Sequence, residues 1–158
     1  MTKLRYQSAE QDLGQFLGQY GSVTIGARKR RWEWERKWRE AFVGDRAELL
    51  APKSRDRLWH FLSFRTNSGH EIVPRLEGGV AEIAFSNAVA DEYVVIPEVP
   101  STIVFECAGR LPALEDWYRL ADNDALPIDV YVVAANLSWT FVMTHEQPML
   151  GPYFVTKG

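Results

Sequence analysis

Apolar positions along this chain follow two rhythms, one of period two and one helical. The period-two rhythm is cleanest near the end of the chain. In Ser138-Trp-Thr-Phe-Val-Met-Thr-His-Glu146, the residues Trp139, Phe141 and Met143 share one face, and Thr140, Val142 and Thr144 share the other. The preceding run Asp129-Val-Tyr-Val-Val133 is β-branched and aromatic, and Ala134-Ala-Asn136 holds an Asn that tolerates left-handed backbone. Together these runs predict a C-terminal β-hairpin.

Helical spacing dominates the front of the chain. Ser8-Ala-Glu-Gln11 reads as a capping box, followed by Leu13, Phe16, Leu17 and Tyr20, with Gly21 as the stop. A first helix is expected at about 9–20. A second runs from about Arg28 to Val43, ended by Gly44, with an apolar stripe of Trp34, Trp38, Ala41 and Phe42. Glu33/Lys37, Glu35/Arg39 and Arg36/Glu40 occupy i, i+4 positions on its other face. Trp32 falls outside the stripe. Val23-Thr-Ile25 is too short to classify.

Leu58-Trp-His-Phe-Leu-Ser-Phe64 alternates between two mostly apolar faces and reads as a strand covered on both sides. A third helix is expected at Gly78–Ala88, with Ala81, Ala84, Phe85 and Ala88 on one side, and a fourth at Pro112–Leu120. Strands are expected at Tyr93–Ile96 and Thr102–Cys107, stopped by Pro97 and Gly109. The pattern as a whole describes a single α+β domain over residues 1–158. Its antiparallel or mixed sheet has about five strands, covered mainly on one face by about four helices. No Gly-rich loop leads from a strand into a helix, which argues against a nucleotide-binding doubly wound fold.

Composition narrows the function classes. The net charge of −3 supplies no general attraction to nucleic acid or anionic membrane. A single Cys excludes an internal disulfide framework and fits a reducing cytosol. The N-terminus has charge but no apolar run, so no signal peptide is expected, and no stretch approaches a membrane span. The expected location is cytoplasmic. Six Trp residues point to an aromatic-heavy core or to aromatic anchors at an interface.

The candidate chemistry is sparse. His145-Glu146 is the one adjacent His-Glu pair, at a strand end where an imidazole and a carboxylate could serve as acid and base. Neighbouring strand residues point to opposite faces, however, so the two side chains need not meet, and the favoured reading is a structural His145 that hydrogen-bonds the Gly151-Pro-Tyr-Phe154 tail. His60 would join this pair in an enzyme; on the structural reading it is a satisfied core histidine. Were the strands of His60 and His145 paired, Glu106 could complete a zinc-like set, but there is no ligand spacing to require it, and no metal or cofactor is assigned. Cys107 reads as a buried, inert thiol. Arg28-Lys-Arg-Arg31 followed by Trp32 offers a phosphate patch with a stacking ring. The interspersed Glu residues favour a solvated helix face or contact with an acidic protein. The candidate binding residues are therefore Arg30, Arg31, Trp32 and, in the tail, Tyr153 and Phe154.

Taken together, Leu58–Phe64, Ala84-Phe85, Asp129–Val133, Trp139–Glu146 and Gly151–Phe154 resemble a family of small bacterial proteins with a domain of unknown function. That family has a Trp-His-x-Phe-Ser-like strand and ends in Thr-His-Glu followed by Gly-Pro-Tyr-Phe. The chain departs from it in the spacing of His60 and Ser63, and in lacking an acidic residue at the hairpin turn. Families of this character are similar to immunity proteins of bacterial toxin systems. The family resemblance implies no established activity; the likeness to immunity proteins implies a protein that binds and neutralises a toxin without catalysis. A small enzyme using His145 and Glu146 is the first alternative, and a weak nucleic-acid binder using Arg28–Trp32 the second.

Overall fold

A computed structural model of the protein describes residues 3–55, 57–63, 65–66, 68–98, 101–122, 129–145 and 151–157. Helix α1 (Lys3–Gly18) leads into strand β1 (Gly21–Gly26), and α2 (Arg28–Trp38) continues through a π-helical turn at Arg39–Val43. Short 3₁₀ segments then reach α3 (Leu58–Ser63), the two-residue strand β2 (Leu76–Glu77) and α4 (Gly78–Ser86). Next come β3 (Glu92–Pro97), β4 (Val104–Gly109), α5 (Leu114–Asp122), the hairpin β5 (Val130–Ala134) and β6 (Trp139–Met143), and finally β7 (Tyr153–Thr156).

The described strands form one sheet in the order β1-β4-β3-β5-β6-β7-β2, antiparallel at every pairing. The expected α+β class holds, with seven strands rather than about five. The cover differs from expectation, because helices pack on both faces. Alternate residues of each central strand enter two separate cores. Tyr93, Val95, Phe105, Val132, Phe141 and Phe154 join Leu13 and Leu17 of α1, Phe85 of α4 and Trp117 of α5. Val94, Ile96, Val104, Tyr131, Val142 and Val155 join Trp34 and Trp38 of α2 and Phe61 and Leu62 of α3. The reason is in the strands themselves: every residue of β5 and of β6 is buried, and a strand apolar on both sides must be covered on both sides.

The hairpin forms where its pattern placed it, with Val132 opposite Phe141. Phe85 stacks on Phe141 with ring centroids 4.2 Å apart, and Trp139 stacks on Phe154 at 5.8 Å. The Trp139/Phe141/Met143 face thus packs in the core shared with α1 and α4. The stripe of α2 lies on the opposite face, where Trp38 Nε1 donates to Thr140 Oγ1 and Thr140 Oγ1 donates to the carbonyl of Val132.

One expected strand is a helix. Leu58–Ser63 forms α3, and its buried residues Leu58, Phe61 and Leu62 stand at i, i+3 and i+4. The same letters satisfy both periods, and in a six-residue apolar run only the surroundings choose between them. The first helix extends to Lys3, well before its expected start, while Val23-Thr-Ile25 lies within the edge strand β1.

Candidate functional site

Buried polar groups gather where β5 begins and β6 ends. Asp129 immediately precedes β5 and is only 3% exposed. Its Oδ1 accepts the backbone N–H of His145 at 3.0 Å and lies 2.7 Å from Nδ1 of the His145 ring. The His145 side chain is half exposed, so the dyad joins a buried carboxylate to an imidazole at the surface. Glu98 follows β3 in the same region: its N–H donates to the Asp129 carbonyl, and its Oε2 accepts the Tyr131 hydroxyl at 3.0 Å. Burial, reinforced by the Glu98 and Asp129 carboxylates, holds the Tyr131 hydroxyl well above the ordinary phenol range. Arg31 borders this cluster from α2, its guanidinium donating to the carbonyls of Pro97 and Ile103.

The residues singled out from the sequence fall in different places. His145 is joined to Asp129, while Glu146 lies outside the described residues. His60 sits on α3 with Nδ1 2.8 Å from the Ser54 carbonyl, so no strand pairing carries it to His145. Glu106 is taken by other partners. Its Oε1 accepts Arg30 Nε and Trp34 Nε1, each at 2.7 Å. Burial by itself would raise this carboxyl, but the hydrogen bonds from Arg30 and Trp34 together with the charges of Arg30 and Lys37 outweigh it and hold the group below the usual carboxylate range. Among the described residues no group of three or more His, Cys, Asp or Glu side chains is arranged to hold a metal ion.

Nor does the basic run form one surface. Arg31 is 5% exposed and paired with Glu35 at 2.8 Å, which makes it a structural arginine tying α2 to the strand ends. Arg30 is spread between Glu33 and Glu106. Trp32 points to solvent, with the Arg36 guanidinium over its ring. Tyr153 and Phe154 are both buried and enter different cores, Tyr153 beneath the Arg75 guanidinium and Phe154 against Trp139. Cys107 is buried among Phe105 and Tyr93, and its thiol is pushed up to about 11, chiefly by burial.

The surface feature that the sequence pattern left unread belongs to α4. Its inner face, Ala81 and Phe85, is buried in the α1/α5 core. Its outer face carries Val80, 58% exposed, and Ile83, 65% exposed, and Leu76 before the helix and Val89 after it are exposed as well. Ile83 lies about half a turn from the buried stripe, by the 100° per residue of helical geometry. Four of the seven large apolar side chains exposed among the described residues fall in the stretch 76–89. The signal was present: Gly-Gly-Val-Ala-Glu-Ile-Ala-Phe-Ser has one charge in nine residues, and a helix apolar all round is one whose second face needs cover.

These features define an α/β/α protein built on one antiparallel sheet, with a His–Asp dyad at one end of that sheet and an uncovered apolar helix face. Residues 23–154 match the family described as Domain of unknown function (DUF4275), and the chain belongs to that family. No curated protein and no solved structure gives a match. Among the described residues, no helix is long and apolar enough to cross a membrane.

Proposed function

We propose that this chain is a non-enzymatic protein-binding module that presents the outer face of α4 to a protein partner. The observation that carries this reading is the exposure of Val80 and Ile83 opposite a fully buried stripe. Scattered apolar residues on a surface are ordinary, but four grouped within residues 76–89, two of them on the outer face of α4, mark an interaction face. In its most specific form the module is a cytoplasmic, immunity-like protein of bacterial origin that neutralises a toxin by occupying it. The test is co-expression with the product of the neighbouring reading frame. Growth arrest by that product should be relieved by the wild-type chain and not by Val80→Ser/Ile83→Ser, which folds normally. Equal rescue by both chains would reject the α4 face.

A second reading rests on Asp129 and His145. A buried carboxylate 2.7 Å from Nδ1 of a half-exposed imidazole is the orienter–base arrangement of general acid–base catalysis. Its test separates folding from chemistry. Under this reading, His145→Gln abolishes turnover of a hydrolysable substrate while leaving the melting temperature unchanged. Under the binding reading, the same variant still neutralises the partner.

A further inference from the structure

Charge is distributed unevenly over the two layers of helices. Residues 28–57, which form α2 and the approach to α3, hold eleven of the eighteen Lys and Arg residues. Residues 76–92, which form β2, α4 and the start of β3, hold four acids and no Lys or Arg. Those acids are Glu77, Glu82, Asp91 and Glu92, in the same stretch as the apolar face of Leu76, Val80, Ile83 and Val89. Among the described residues, no cation pairs with Glu82, Asp91 or Glu92, whereas Glu77 lies 2.9 Å from Arg75. Three cations of neighbouring elements are otherwise engaged, and Lys157, which follows β7, is exposed. The Arg75 side chain is 3% exposed between Glu71 and Glu77, Arg119 lies 3.5 Å from Asp116, and the Arg110 guanidinium sits over Tyr20.

From this placement we infer that the α4 face takes a cationic amphipathic segment of a partner protein, an apolar stripe flanked by Lys or Arg. The inference rests on the reading of α4 as a docking face and adds the chemistry of its occupant. The exposed apolar residues supply contact area, and the acids that share this cation-free stretch, Glu82 on the helix and Asp91 and Glu92 after it, select the sign of the flanking charge. An exposed apolar helix face in an acidic, cation-free stretch discriminates in this way for a simple reason. An acidic occupant brings like charges together as its apolar stripe is desolvated, whereas a basic one gains attraction at the same contacts. A second copy of this chain is a poorer occupant, since an isologous contact through α4 would bring together two copies of a stretch with four acids and no Lys or Arg.

The experiment uses the full chain and two fluorescent helical peptides with the same Leu stripe, one flanked by Lys and the other by Glu. Fluorescence anisotropy at low ionic strength should show the Lys peptide binding at least about ten-fold more tightly, a difference of about 1.4 kcal/mol. Ile83→Ser should weaken the Lys peptide by a similar factor. Glu82→Gln/Asp91→Asn/Glu92→Gln should remove the discrimination and flatten the salt dependence. Equal binding of the two peptides, lost on Ile83→Ser, would overturn the charge selection and leave the docking face standing. Binding of the Lys peptide untouched by Ile83→Ser, or no binding of either peptide, would overturn both. Sedimentation showing a concentration-dependent dimer that Ile83→Ser dissolves would assign the face to a second copy and overturn the proposal.

Discussion

At the scale of single residues, Asp129 carries more than its position suggests. It is nearly sealed from solvent, and one oxygen receives both the backbone N–H and the ring of His145. Replacing it by Ala leaves the His145 N–H without its acceptor, and thermal or urea denaturation should show a loss of about 1–3 kcal/mol. His145→Ala should cost less, because the backbone donor still meets the carboxylate and the ring is half exposed. Gly151 is a second fixed point. Its φ is +82°, and a Cβ there would lie 2.9 Å from Thr144 Cγ2. Gly151→Ala should therefore destabilise the protein by about 1–3 kcal/mol, measured the same way. Cys107 gives a pH-dependent prediction. Its thiol titrates near 11 when folded, against 9.0 when unperturbed, so the folded state holds the proton more tightly. The stability this supplies is complete below the unfolded value and is lost as pH rises through the folded one. Native protein at pH 8 should leave a thiol reagent unreacted, and denaturant should release one equivalent.

At the scale of elements, α4 presents two faces that should answer mutation oppositely. Phe85 is 2% exposed and stacked on Phe141, so Phe85→Ala should cost about 3–5 kcal/mol in chemical denaturation. Ile83→Ser, on the outer face, should change stability by no more than about 0.5 kcal/mol. A large loss at Ile83 would mean that this face is already covered within the fold. The helix α3 shows how surroundings choose an element. Leu58, Phe61 and Leu62 are buried in the α2 core, His60 holds the Ser54 carbonyl, and Trp59 packs against Tyr153 at 6.0 Å. Apart from Ser54, six residues before His60, these partners lie beyond the reach of a local pattern.

At the scale of the whole molecule, two cores share one sheet. Val94 and Ile96 enter one core while Tyr93 and Val95 of the same strand enter the other. Neither layer of helices can leave without exposing one face of strands that the other layer still covers, so unfolding should be a single transition. Trp38→Phe in one core and Trp139→Phe in the other should each lower that transition without splitting it. Near- and far-ultraviolet circular dichroism of the two variants should coincide. Separate midpoints would indicate that the layers melt independently.

What the sequence determined by itself was local or periodic. The β5–β6 hairpin followed from strict alternation and an Asn-bearing turn, and α2 followed from its Trp34/Trp38/Phe42 stripe and the glycine stop at Gly44. The burial of Cys107 followed from its apolar strand neighbours Phe105 and Ile103. Tertiary structure decided the rest. It turned Leu58–Ser63 into a helix, since a short apolar run obeys either period until a neighbouring surface takes one of its faces. It covered both sides of the sheet, because a continuous apolar strand declares two faces without saying what covers them. It gave His145 an aspartate sixteen residues earlier as its partner, and it turned Arg31 inward to carbonyls more than sixty residues away. Such pairings depend on strand order, and strand order is a property of the folded sheet that no stretch of the sequence carries alone.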